Sequence, residues 1–188
     1  MNIQREVEKA EKAFEKGDID LLRKILEPLL EKNVPAAIRL NACFHDAGTS
    51  EEQCDREYVE RMFKAAELGD RKALYRVGAM LDIGDFGVTQ DKEKASLIFK
   101  QLSDDGDEHC MWIHASELIW GKGTFKQDVE HGLKLLEEAA DRGSSGACIT
   151  LATIYDQGSF NYPKDIDVRD KYRKLALKYD ETTYDPFA

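Results

Sequence analysis

The chain lacks most of what would place it in a membrane, on nucleic acid or in a disulfide-stapled scaffold. No stretch of its 188 residues approaches the ~20 consecutive apolar residues that cross a bilayer. The opening run Met1-Asn2-Ile3-Gln4-Arg5-Glu6-Val7-Glu8 alternates charge with other residues. It has no apolar centre of the kind a signal peptide needs, and the chain is expected to be cytoplasmic. Basic clusters are also missing. The 27 Lys and Arg face 37 Asp and Glu, a net charge of −10. That balance argues against phosphate-reading nucleic-acid binding and against attraction to an anionic membrane. The four cysteines (Cys43, Cys54, Cys110, Cys148) form no C-x-x-C pair, so free thiols are expected. Only four prolines interrupt a chain dominated by Ala, Leu, Glu and Lys, a composition that favours helix.

What is abundant is regularity. Gly69, Gly106 and Gly143 are spaced 37 residues apart, as are Gly84, Gly121 and Gly158, and Asp91, Asp128 and Asp165. A small-residue column runs Ala36, Ala73, Cys110, Ala147. Two apolar columns run Leu40, Val77, His114, Leu151 and Phe44, Leu81, Leu118, Tyr155. Independent columns sharing one period mark a repeat array. Each unit reads as two helices. The first has apolar residues three and four apart and stops at a glycine suited to a left-handed cap. The second starts at an aspartate that can accept the free N–H groups of its first turn. In the unit that lacks the aspartate, Ser50 and Gln53 offer a capping box, so that helix should start a turn early. Upstream, Val7 to Lys16 and Ile19 to Lys32 form an irregular pair, with Pro28 expected to kink its second helix. The chain thus divides into a first pair (1–33), repeats at 34–69, 70–106, 107–143 and 144–180, and a loose tail (181–188). The fold class is all-α, with ten helices in about five antiparallel pairs.

The unit Ala73-x-x-x-Val77-Gly78-x-x-Leu81-x-x-Gly84-x-x-Gly87-Val88-x-x-Asp91-x-x-x-Ala95 resembles the Sel1-like repeat, a relative of the tetratricopeptide repeat. Lys64-Ala65-Ala66-Glu67-Leu68-Gly69 and Glu138-Ala139-Ala140-Asp141-Arg142-Gly143 carry the same likeness, which extends over residues 34–180. Gly78 is replaced by Asn41, Ala115 and Ala152 in the other units. The resemblance implies a right-handed α-solenoid, a tetratricopeptide-like superhelix, and an adaptor or scaffold role; bacterial proteins are common in the family. An immunity protein or inhibitor that neutralises a bacterial toxin or effector is a specific version of that role.

Candidate chemistry does not converge. Cys43 and His45 are two apart, about 200° around a helix, so they cannot form a dyad. His109, Cys110 and His114 do not bring three ligands to one face. His114 falls in an apolar column and reads as a half-buried, hydrogen-bonded histidine. Gly121-Lys122-Gly123-Thr124 lacks the strand and the preceding glycine of a phosphate loop, and Asp85-Phe86-Gly87 lacks any other kinase element. No enzyme, cofactor or metal is implied. A hydrolase with an unrecognised site is the remote alternative.

Function in a solenoid lies on the surface left after neighbouring units pack. In the geometry the resemblance implies, first helices line a concave groove. The positions outside the packing columns are Ile38, Tyr75, Trp112 and Ile149 in one row, and Asp46, Ile83, Trp120 and Gln157 in a second. A third row holds His109 among Pro35, Lys72 and Gly146. Aromatic anchors of this kind are typical of interface hot spots; the alternative is that they pack between helices or against the capping segment, as large aromatics often do. Asp46, Asp82, Asp156 and Glu117 give the groove an acidic rim, which suits a partner protein or peptide of some basic character or is equally a solvated face.

Overall fold

The computed structural model describes residues 2–45 and 48–187. Among them, ten α-helices follow one another with no strand between. They are α1 (Ile3–Glu15), α2 (Ile19–Leu30), α3 (Pro35–Asn41), α4 (Glu51–Glu67), α5 (Arg71–Ile83), α6 (Lys92–Asp104), α7 (Glu108–Trp120), α8 (Val129–Asp141), α9 (Ser145–Gln157) and α10 (Ile166–Tyr179). The chain divides into two compact units, one ending at Ala95 and one beginning at Ser96, so the boundary falls inside α6.

The repeated residues make the helix ends. Gly84, Gly121 and Gly158 close α5, α7 and α9 with φ of 76°, 59° and 69°, a left-handed conformation that a Cβ penalises. After each glycine the chain turns back on itself in the same way. The Asp91, Asp128 and Asp165 amides donate to the carbonyls of Leu81, Leu118 and Tyr155 at 2.8, 3.0 and 3.0 Å. Each aspartate then caps the next helix, its carboxylate accepting from Lys94, His131 and Val168 N–H at 3.0 Å. First helices have their own caps at the same interval: Asp70, Asp107 and Ser144 accept from the amides of Ala73, Cys110 and Ala147. Ser50 caps α4 by accepting from Gln53 N–H, while the Gln53 side chain turns outward to Glu57, so half of the expected capping box forms. Pro28 lies in the last turn of α2, which continues only to Leu30. The N–H that Pro28 lacks would have served the carbonyl of Lys24, one turn back in the helix.

In the first unit the core joins α1, α2 and α3 through Ala10, Leu22, Leu26, Leu29, Ala37 and Leu40. A charged network ties α1, α3 and α5 at the surface. Arg39 reaches Glu11 at 2.7 Å and Asp70 at 2.9 Å, and Lys72 reaches Glu11 at 2.8 Å. In the second unit the core joins α7, α8, α9 and α10 through Met111, Ala115, Ile119, Leu136, Ala139, Leu151 and Ala176. Gly132 permits α8 to approach α7; a Cβ there would lie 2.7 Å from Ile119 and 3.0 Å from the Ala115 carbonyl. The small-residue column behaves as its sizes suggest, with Ala73, Cys110 and Ala147 fully buried. Residues 181–187, expected to be loose, are tied to α10. The Arg173 guanidinium binds the Asp185 carboxylate at 2.6 Å, and Phe187 lies 5.4 and 5.5 Å from the guanidinium carbons of Arg169 and Arg173.

Candidate functional site

The positions left over by the packing columns fall into three physical situations. Ile38 is the first. It is only 5% exposed, so its side chain is core and not a groove contact. The short helix α3 starts at Pro35 and has seven residues, too few to leave a free face once α1, α2 and α4 pack around it. Asp46 lies outside the described residues.

The second situation is half-burial. Trp112 lies on α7 with its ring over Gly146 of α9, where a Cβ would come within 2.8 Å of the ring carbons. Its indole N–H donates to Thr150 Oγ1 at 3.0 Å, and that hydroxyl donates to the Gly146 carbonyl at 2.9 Å. Trp112 therefore joins two first helices and shows one edge to solvent. His109 is exposed one turn earlier, its ring 5.2 Å from that of Trp112. Ile149 packs partly against the second unit's core. In the first unit, Tyr75 and Asp82 are half-buried on α5.

The third is open exposure. Ile83 and Trp120 share one repeat position, the last residue of a first helix, and are 65% and 41% exposed. Trp120 is supported edge-on by Phe160, ring centroids 6.3 Å apart. Phe160 comes from the loop after α9 and has φ of +55°, as Phe86 in the corresponding loop of the first unit has φ of +53°. An aromatic residue in the left-handed region costs about 1–2 kcal/mol, so both are held against local preference. These loop aromatics complete the surface, and sequence reasoning missed them. The signal was present: Phe86 and Phe160 each stand two residues after a cap glycine.

The acidic rim is altered by its partners. Asp156 is paired with Arg169 at 3.0 Å. Glu117 is no rim residue. It turns inward, accepts a hydrogen bond from the Ser96 hydroxyl, and lies 3.6 Å from His114 Nδ1. Gly123 leaves room for it, since a Cβ there would fall 2.6 Å from the carboxylate. His114 differs from the expected half-buried histidine: it is 4% exposed, its Nδ1 has no hydrogen-bond partner, and its ring meets Phe125 edge-on at 4.8 Å. An apolar repeat column delivered a polar side chain to the core, and the loop between α7 and α8 closed over it.

All four cysteines are free. Cys110 and Cys148 are buried, and burial together with the Asp141 charge pushes the Cys148 thiol up to about 11. A thiol so shifted is a poor nucleophile. Among the described residues no three His, Cys, Asp or Glu side chains converge as a metal site would need, and no helix is long and apolar enough to cross a membrane.

This pattern of capped helix pairs defines a class of fold, the α-solenoid. Residues 71–107 and 110–144 match the model of the Sel1 repeat. The fold is that of a Sel1-repeat protein from Oxalobacter formigenes, with a TM-score of 0.73, 20% identity and coverage of 93% of this chain and 70% of that one. It also matches c5321, a protective antigen of uropathogenic Escherichia coli with the same repeat fold (TM-score 0.66, 19% identity, 93% of this chain and 38% of the other). Human cytochrome c oxidase assembly factor 7 is 27% identical over 114 residues, which is 58% of this chain and 49% of that protein. The match thus spans about half of the human relative.

Proposed function

We propose that the chain is a non-catalytic adaptor or scaffold that holds a partner protein or peptide on the exposed ends of its first helices. The observation that carries this reading is the repeated exposure of a large apolar residue at one position, Ile83 in the first unit and Trp120 in the second. Trp120 is an open indole propped by a strained loop phenylalanine, and an exposed, rigid aromatic is the usual anchor of a protein interface. His109, the free edge of Trp112 and Ile149 extend the surface in the second unit, and Tyr75 and Asp82 extend it in the first. The likeness to a protein named as an assembly factor supports a scaffolding role.

The test is calorimetric affinity for a partner recovered from the native host. Trp120→Ala is expected to weaken binding by about 2 kcal/mol, roughly 30-fold, with an unchanged circular dichroism spectrum. Trp120 is a cleaner probe than Trp112, whose loss would also remove packing between α7 and α9. The control is Lys134→Ala on α8, where the lysine is exposed and paired with Glu130 at 2.7 Å. Equal affinities for Trp120→Ala and wild type would move the contact surface away from the first-helix ends.

A further inference from the structure

One side of helix α4 borders a groove. Glu52, Asp55, Arg56, Val59 and Glu60 follow the spacing of a single helical face. With Phe86, Gly87 and Val88 from the loop after α5 they line a groove of about 330 Å³. Its floor and one wall are apolar: Val59 and Val88 are half-buried, and the Phe86 ring stands 38% exposed, tilted against Tyr58 with centroids 4.9 Å apart. Phe86 is fixed there by an unusual backbone, φ of +53°, and its N–H is held by the Asp85 carboxylate at 2.9 Å. A side chain in a conformation L residues avoid, aimed at solvent, has a replacement that would be easier to fold, namely glycine.

The rim is acidic. Three carboxylates stand against one guanidinium, and that guanidinium, Arg56, sits loosely 3.8 Å from Glu52 with both side chains mostly exposed. Asp55 and Glu60 have no ion-pair partner among the described residues. An apolar floor, an aromatic wall and unpaired carboxylates at the rim complement one kind of side chain above others: arginine. Its stem can lie on Val59 and Val88, its planar head can stack on an aromatic face, and its N–H groups can reach two carboxylates.

We propose that this groove on α4 binds an arginine of an extended, basic segment of a partner protein. The site shares Phe86, in the loop after α5, with the first-helix surface of the first unit, and it uses no residue of the unit that carries Trp120. The probe is a six-residue acetylated and amidated peptide with two arginines and one leucine, titrated into the full isotope-labelled chain by NMR. Its counterpart has citrulline at both arginines, which keeps the shape and removes the charge. The arginine peptide is expected to shift the amides of residues 52–60 and 85–88 first. The citrulline peptide should bind at least about five-fold more weakly.

Phe86→Gly is expected to lose binding by a similar factor while keeping or raising the melting temperature, because glycine relieves the left-handed backbone. A residue that served only the fold would not separate the two readouts. Asp55→Asn with Glu60→Gln should weaken binding without touching the loop, and it decides the matter should Phe86→Gly fail to fold. Trp120→Ala should bind the peptide normally, so failure here and failure of the first-helix surface are distinguishable. Equal binding by the citrulline peptide, or shifts spread evenly over other acidic surfaces such as Asp104 to Glu108, would overturn the assignment.

Discussion

At the scale of single residues, size and hydrogen bonding decide more than type. The sequence places Trp112 among surface positions, yet a tryptophan carries so much apolar area that a neighbouring glycine becomes a seat for it. Gly146 is that glycine, and its absent side chain is what allows the ring to lie across α9. Gly146→Ala should therefore destabilise the protein by about 1–2 kcal/mol in urea unfolding, since a rigid ring held by Thr150 has to move. This is the opposite sign to the helix-propensity gain of up to ~1 kcal/mol that alanine would bring on an open face. A midpoint equal to or above wild type would mean the ring is not seated there. Ile38 and Glu117 teach the same lesson from the other side. Each is read as surface from the sequence, and each is drawn inward by something the repeat does not contain: the shortness of α3, and the hydrogen bond that Glu117 accepts from Ser96.

At the scale of helices, the 37-residue spacing translates directly into caps. Glycines end first helices, aspartates begin second helices, and the amide-to-carbonyl clamp from Asp91, Asp128 and Asp165 repeats with them. What fastens one helix to another in the first unit is partly ionic, and this has a pH signature. The Glu11 carboxyl is held below its ordinary value, chiefly by the hydrogen bond from Lys72, helped by Arg39 and opposed by partial burial. A carboxylate favoured in the folded state contributes stability above its unfolded pKa of 4.5, and that contribution disappears as pH falls through the lower, folded value. Glu11→Gln should thus cost about 0.5–1 kcal/mol at neutral pH, a modest figure because solvent screens part of the network. The gap between variant and wild type should narrow when the pH is taken from neutral to well below 4.5. A gap of the same size at both pH values would assign the effect to packing instead of charge.

At the scale of the whole molecule, the net charge of −10 sets long-range behaviour. A partner of basic character should associate more slowly as salt is raised from about 50 mM to about 500 mM, with dissociation much less affected, as measured by surface-based or stopped-flow kinetics. A rate indifferent to salt would point to a neutral partner. The sequence by itself determined the all-helical class, the repeat and its period, the positions of the caps and the small residues at helix crossings. These are local or periodic properties: a glycine that must be left-handed or an aspartate that must cap announces itself wherever it recurs. Only the tertiary structure decided which leftover side chains face solvent. It folded residues 181–187 onto α10 through Arg173 and Phe187, turned Glu117 inward, seated Trp112 on Gly146 and raised Phe86 beside α4. The physical reason is that exposure depends on what a neighbouring element leaves uncovered, and that neighbour lies one repeat or more away in the chain, where period and propensity carry no record of it.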